Sequence, residues 1–122
     1  MTYFSSVGII MKSNPCMMKE TLRISYAKDI LQSVARYYGM SVEDVLKKTR
    51  KPDIIMVRQV AIYCIGYKIK GIYLKEIASV FGKELNFDHT IVIYSRSRIE
   101  AQLSAKFDNQ YKDDISNILL IL

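Results

Sequence analysis

The chain has 122 residues, a length typical of one domain built around one hydrophobic core. Hydrophobic residues make up 50% of the sequence and charged residues 25%, which is ordinary for a globular protein and excludes a disordered chain. Eighteen Lys and Arg against 12 Asp and Glu give a formal net charge of +6, and this balance favours a polyanionic partner.

The scarcity of metal-binding side chains limits the chemistry that the chain can perform. Its two cysteines, Cys16 and Cys64, and its one histidine, His89, cannot supply a four-ligand zinc site. We therefore expect neither a metal nor another cofactor. Two distant thiols are best read as reduced, which favours a cytoplasmic location.

The N-terminal segment has no clean helical or strand periodicity, so we treat residues 1–20 as a poorly ordered arm ahead of a domain over 21–122. Its apolar stretches are short, lack a preceding basic region and are interrupted by Lys12 and Pro15. This pattern predicts neither a signal peptide nor a membrane-spanning helix.

Two helices are predicted after the arm. Apolar residues at spacings of three and four predict a first helix over 25–38, and Gly39 stands where a left-handed cap would end it. Ser41 and Asp44 form a capping-box pattern at the start of a short second helix. The predicted core residues are Ile30, Leu31, Val34, Ala35 and Tyr38 of the first helix and Val42, Val45 and Leu46 of the second.

A basic loop and a third helix follow. Residues 47–51, KKTRK, carry four positive charges in five positions, and Pro52 ends the preceding helix. The third helix is predicted over 53–70, with Gly71 at its end. Its predicted buried stripe contains Ile54, Val57, Ala61, Cys64 and Ile65.

The remaining pattern is also helical. We predict a short helix over 73–81, a break at Gly82 with a loop over 83–87, a long helix opening at Asp88 and a terminal helix after residue 108 or 109. Helical spacing and caps outweigh the β propensity of two short stretches. The predicted fold class is therefore all-α, a compact multi-helix bundle containing a helix-turn-helix.

A short helix, a turn and a longer helix are the arrangement of a helix-turn-helix, whose second helix places its first residues in the major groove of DNA. Asp88 is a good N-cap residue, and His89 and Thr90 project from the next turn with groups that can meet base edges. Taken alone, the same triplet is also typical of an ordinary helix cap with a solvated histidine.

The order of motifs makes the sequence more specific. Over residues 25–122 the chain resembles the C-terminal DNA-binding domain, domain IV, of the bacterial replication initiator DnaA. The counterparts are GMSVEDVL at 39–46, KKTRK at 47–51, RQVA at 58–61, LKEIASVFG at 74–82 and DHTIV at 88–92. The resemblance implies sequence-specific binding of double-stranded DNA and a role in replication initiation or its regulation.

The resemblance also implies roles for particular residues. Arg50 corresponds to the arginine that enters the minor groove, with Lys48 and Lys51 beside it. Arg58 and Gln59 correspond to a pair expected near the groove and the phosphate backbone.

In the recognition helix, Asp88, His89 and Thr90 correspond to the residues that read bases and backbone, and Ile91 follows them. Lys75, Arg96 and Arg98 are further candidates for phosphate contacts.

The chain departs from the family pattern at the edge of the predicted recognition helix. Ile91 replaces a threonine, which removes a polar group but leaves a side chain able to contact a thymine methyl. Phe87 replaces an arginine, and the loop over 83–87 is longer than the usual turn. These changes predict an altered base preference, or an apolar patch of Ile91 and Phe87 for a protein partner of the replication machinery.

The chain contains no phosphate-binding loop of the form GxxxxGK(S/T), so we expect no nucleotide binding. It also offers no nucleophile–base pair, and we expect a stand-alone module that is not an enzyme. Two alternatives remain open: a degenerate DnaA-like module for protein interaction, and a helix-turn-helix transcription regulator.

Overall fold

The computed structural model describes residues 19–122, and within that range it contains helices and no strand. The helices are α1 (Glu20–Tyr37), α2 (Val42–Leu46), α3 (Pro52–Lys68), α4 (Leu74–Ser79), α5 (Gly82–Leu85), α6 (His89–Ser104) and α7 (Gln110–Ile121). The predicted all-α fold class is confirmed. The first 18 residues of the predicted N-terminal arm lie outside the described residues.

The central element is α3, which packs against α1, α2, α4, α6 and α7. All five residues of its predicted buried stripe are buried, and so are residues on its other sides, including Val60 and Ile62. A helix that is apolar on most of its circumference belongs in the core. The thiol of Cys64 is fully buried there, and burial raises its pKa to about 12.

The N-terminal half of α1 is fixed by an ion pair that sequence periodicity does not reveal. Arg23 donates from Nε and Nη2 to the two carboxylate oxygens of Glu76 on α4, at 2.9 and 2.7 Å. The Glu76 carboxylate also accepts from the backbone N–H of Tyr73. Because this pair anchors its first turn, α1 begins at Glu20, five residues earlier than predicted.

The predicted caps are confirmed. Ser41 Oγ accepts from the backbone N–H of Asp44 at 3.1 Å, and the Asp44 carboxylate accepts from the backbone N–H of Ser41. Gly39 has φ +72°, a conformation that disfavours any residue with a Cβ. The sharp turn at Gly39 brings α2 back beside α3.

The predicted break at Gly82 is confirmed, because Gly82 has φ +84° and separates α4 from the next helix. The predicted loop over 83–87 is wrong in part, since residues 82–85 form the one-turn helix α5, which ends at Asn86 with φ +48° and ψ +47°. Asparagine tolerates this left-handed conformation better than most residues. Phe87 then packs its ring against Phe81, with centroids 5.1 Å apart, and leads into α6.

The terminal helix α7 folds back onto α1, α3 and α6. Asp114 accepts hydrogen bonds from the hydroxyl groups of Tyr37 at 3.2 Å and Tyr38 at 2.8 Å. Burial and this carboxylate raise the pKa of Tyr38. Ile115 and Ile118 are buried beneath the polar contacts, so α7 completes the core.

Candidate nucleic-acid interface

The first turn of α6 faces solvent. Asp88 Oδ1 accepts a hydrogen bond from the backbone N–H of Ile91 at 3.1 Å, which confirms the predicted N-cap. His89 and Thr90 are exposed, whereas Val92, Ser95 and Ile99 face the core and hold α6 against α3 and α4. The helix therefore presents its N-terminal residues outward from a rigid base.

The basic loop, residues 47–51, lies between α2 and α3. Lys48, Arg50 and Lys51 are exposed, and within residues 19–122 none of them forms an ion pair. Lys47 alone has an acidic partner, the Asp44 carboxylate at 3.3 Å, and this lysine lowers the pKa of Asp44. Three cations are thus available to an external anion.

Arg58 of α3 holds the backbone of the basic loop in place by hydrogen bonds. This guanidinium donates to the carbonyl oxygens of Val45 at 2.8 Å, Thr49 at 3.1 Å and Lys47. Its carbon Cζ also lies 5.9 Å from the centroid of the Phe87 ring. Arg58 therefore connects the basic loop to the residue that precedes the N-cap of α6.

The basic loop and α6 line one groove, which we call the loop–helix groove. Its volume is about 830 Å³. The basic loop contributes Lys48, Thr49 and Arg50, and α6 contributes Ile91, Tyr94 and Ser95. Residues of α3 form part of the lining between them, including Ile55, Gln59 and Ile62. The two segments singled out by sequence therefore lie on the same side of the molecule.

A second depression lies beside the N-terminus of α6. Lys75 and Ser79 of α4, Lys83 of α5 and His89 of α6 are among its lining residues. The helix N-terminus therefore lies between two surfaces that each carry exposed cations. Such an arrangement can hold the two phosphate strands that border a groove of duplex DNA.

Two predicted contact residues, Arg58 and Gln59, are buried. Arg58 is only 6% exposed, and three of its N–H groups donate to backbone carbonyls, although its side chain also lines the loop–helix groove. Burial lowers its pKa. Gln59 is 8% exposed, although it lines the loop–helix groove.

Arg96 is half-buried and lies across α3. A Cβ atom built on Gly66 would come within 3.3 Å of its guanidinium, so this position needs a glycine or a shift of the arginine. Arg98, in contrast, is exposed. Of the two arginines, Arg98 is the more accessible to a phosphate.

The apolar patch predicted from Ile91 and Phe87 is only half present. Ile91 is 38% exposed and lines the loop–helix groove. Phe87 is half-buried, because its ring packs against Phe81 and the Arg58 guanidinium, and it also lines the loop–helix groove. The aromatic substitution thus serves the packing of the α5–α6 joint.

Three residues that border the interface were not predicted from the sequence. Tyr94 follows Ile91 by three positions, so helical spacing places both on the same side of α6. Lys83 and Glu84 belong to α5, a segment that was predicted to be a loop. Glu84 is the one acidic residue among those described as lining the loop–helix groove.

Within the described part of the chain, no three His, Cys, Asp or Glu side chains lie close enough to hold a metal ion. None of the helices there has the length and apolar character needed to cross a membrane.

A short helix, α4, followed after a turn by a longer helix, α6, whose first residues face solvent is the arrangement of helix-turn-helix proteins. Residues 27–99 match the family described as bacterial dnaA protein helix-turn-helix. This match covers more than half of the chain, which therefore belongs to that family. In DnaA this domain binds double-stranded DNA and is not catalytic.

Curated proteins similar to this chain are named as the replication initiator DnaA. The chain is 35% identical over 89 residues to the chromosomal replication initiator protein DnaA of Levilactobacillus brevis, covering 73% of this chain and 18% of that protein. It is 32% identical over 97 residues to DnaA of Buchnera aphidicola subsp. Cinara cedri, covering 80% of this chain and 20% of that protein. The chain spans about a fifth of the length of these curated relatives. No solved structure matches it.

Proposed function

We propose that this chain binds double-stranded DNA at a specific sequence, with α6 in the major groove and Arg50 of the basic loop in the adjacent minor groove. The proposed role is in the initiation of bacterial replication or in its regulation, in the cytoplasm where the chromosome lies. We propose no catalytic or nucleotide-binding activity.

The observation that carries the proposal is the loop–helix groove, which is lined by both the basic loop and α6. A single sugar-phosphate strand separates the minor groove from the major groove of a duplex. A protein that places a loop in one groove and a helix in the other must therefore leave a channel for that strand. The cations Lys48 and Arg50 border this channel.

The accessibility of each side chain supports a division of roles. His89 and Thr90, exposed in the first turn of α6, are proposed to meet base edges, while Asp88 fixes that turn. Lys48, Lys51 and Lys75 are proposed to contact phosphates. Arg58 is proposed as a positioning residue, because its guanidinium holds the loop rather than facing solvent.

A protein-interaction module is the alternative function. It would use the exposed apolar side chains of α6, but Phe87, the aromatic member of the predicted patch, is half-buried. The cations on both sides of α6 favour DNA over such a partner.

The test begins with selection of bound sequences from a pool of random duplexes. His89→Ala or Thr90→Ala should then weaken binding to the selected site by about 1–3 kcal/mol, the usual scale for a lost base contact. Binding to random duplex should change little. Gln110→Ala, an exposed substitution at the start of α7, is the matched control. Equal weakening on both duplexes would show that α6 does not read bases at these positions.

A further inference from the structure

Two polar side chains are buried in the lining of the loop–helix groove. Gln59 of α3 is 8% exposed and Ser95 of α6 is 3% exposed. Within residues 19–122, neither the Gln59 amide nor the Ser95 hydroxyl has a hydrogen-bond partner. A buried polar group without a partner costs free energy, and native proteins contain few of them. These two groups are therefore available to a ligand that enters the groove.

Arg58 adds a positive charge to the same lining. Three of its N–H groups donate to backbone carbonyl oxygens, whereas a guanidinium has five. No carboxylate in the described part of the chain forms an ion pair with it. Arg58, Gln59 and Ser95 thus offer N–H and O–H donors beside a positive charge that is not cancelled. A carboxylate matches this set, because it is negatively charged and accepts several hydrogen bonds.

Most of the remaining lining is apolar. It consists of aliphatic and aromatic side chains from four elements of the groove, namely Ile55, Ile62, Leu85, Phe87, Ile91 and Tyr94. A sugar-phosphate strand is bound through cations and hydrogen-bond donors, so it does not require this apolar surface. The volume of about 830 Å³ is typical of small-molecule sites, which combine apolar walls with a few polar groups. The lining therefore also fits a small, partly apolar ligand.

We propose that the loop–helix groove binds a small aromatic carboxylate, and that this ligand competes with DNA. The carboxylate accepts hydrogen bonds from the buried donors, and the aromatic ring lies against the apolar side chains. Among the residues described as lining the groove, the exposed cations Lys48 and Arg50 outnumber the one acidic residue, Glu84, which favours an anion. The competition rests on the proposed function, which assigns the same groove to a phosphate strand of the duplex.

Titration of the isotope-labelled chain with naphthylacetate, followed by amide NMR spectroscopy, tests the inference. We expect saturable shifts of the Gln59 side-chain amide, because its N–H groups contact the carboxylate. Naphthylacetamide has a similar shape without the charge, and it should bind about tenfold more weakly, the scale of a hydrogen bond to a charged group. Equal binding of the two compounds, or an unshifted Gln59 amide, would overturn the inference.

Substitutions in the groove locate the site. Gln59→Leu should weaken binding of naphthylacetate by about tenfold. This variant should fold, since it replaces a buried, unpaired amide with an apolar side chain of similar size. Ser95→Ala, which removes only a hydroxyl group, should weaken binding in the same direction. Gln32→Leu, at an exposed position of α1 outside the groove, is the matched control. Unchanged affinity in both groove variants would mean that the ligand binds elsewhere.

Competition with the selected duplex completes the test. At a naphthylacetate concentration about ten times its own Kd, the apparent Kd of the duplex should rise by about tenfold. Sodium acetate at the same concentration controls for ionic strength. If naphthylacetate binds and the duplex affinity is unchanged, the competition is wrong. If the duplex binds and naphthylacetate does not, the inference fails while the proposed function stands. If naphthylacetate binds and no duplex does, the proposed function fails instead.

Discussion

Two arginines are buried in this bundle, and their partners differ. Arg23, between α1 and α4, is 9% exposed and forms a bidentate ion pair with the Glu76 carboxylate. Arg58, beneath the basic loop, is 6% exposed and donates to neutral carbonyl oxygens. Among residues 19–122, no carboxylate pairs with Arg58.

Because their partners differ, Arg23 has a role in stability, whereas Arg58 has a role in the interface. The Arg23 charge is cancelled within the fold, and its hydrogen bond with Glu76 raises the pKa of the guanidinium. Three Arg58 N–H groups donate to carbonyl oxygens, which carry no net charge, so the positive charge of the guanidinium is not cancelled. It therefore shapes the basic loop and adds to the positive potential that the loop presents to a phosphate strand.

The largest expected effect comes from breaking the ion pair. Arg23→Met should lower the free energy of unfolding by about 3–5 kcal/mol, because Glu76 is left buried, charged and without its guanidinium partner. Urea denaturation measures the change. The double variant Arg23→Met/Glu76→Gln is the control and should regain much of the loss. Equal destabilisation of both variants would mean that the ion pair is not the cause.

The same pair predicts a dependence of stability on pH. The hydrogen bond from Arg23 holds the pKa of Glu76 below its usual range. The stabilisation should therefore be complete above about pH 4.3, the pKa of an unperturbed glutamate. It should be lost as the pH falls through the lower pKa of the folded state. Thermal unfolding of Arg23→Met should lack this component of the acid dependence.

Arg58→Lys tests the second arginine. A lysine keeps the charge but cannot span three carbonyl groups, so we expect about 2 kcal/mol of lost stability and a weaker complex with the selected duplex. Titration at a temperature where the variant is fully folded separates the two effects. Arg36→Lys, at an exposed position of α1 outside the loop–helix groove, is the control. Unchanged affinity would contradict the role of Arg58 in shaping the loop.

Lys48→Gln should weaken binding to all duplexes by a similar factor. It should also reduce the slope of log affinity against log salt by about 0.9, the value for one lost phosphate contact. Titrations at several salt concentrations measure the slope. Lys106→Gln, beyond the C-terminal end of α6, should leave the slope unchanged. A change confined to the selected site would mean that Lys48 reads sequence instead.

The smallest expected effect is at Glu84, the acidic residue of the loop–helix groove. Glu84→Gln should strengthen binding to any duplex by about twofold at low salt. The substitution removes the repulsion between an exposed carboxylate and the DNA phosphates, which costs less than about 1 kcal/mol. The gain should disappear at high salt. Glu43→Gln, which is exposed on α2 away from this groove, is the control. Weaker binding by Glu84→Gln would show that the carboxylate makes a favourable contact.

The features predicted well from sequence are those with local causes. The caps at Ser41 and Asp88 depend on residues within three positions, so their patterns can be read directly. The buried stripe of α3 follows from helical spacing. Even the isoleucine- and tyrosine-rich start of α6, which has high β propensity, was correctly predicted as helical because a cap preceded it.

The features that were missed depend on distant contacts. The early start of α1 rests on Glu76, which is 53 residues from Arg23. The inward position of Arg58 depends on how the backbone of residues 45–49 passes over α3, and periodicity carries no information on that path. Phe87 was expected at the surface, but its ring packs against Phe81. The turn that joins the two residues depends on the left-handed conformation of Asn86, which was not predicted.

The reactivity of the buried Cys64 thiol can report on the packing of the whole bundle. Because it has no exposure and a pKa of about 12, it should resist alkylation at neutral pH for as long as α3 is packed. In a chain with Cys16 replaced by serine, the rate of labelling at Cys64 would report how often the interior opens. Binding of a duplex should slow the labelling of Cys64. The labelling rate at different duplex concentrations would therefore give the affinity without any attached dye.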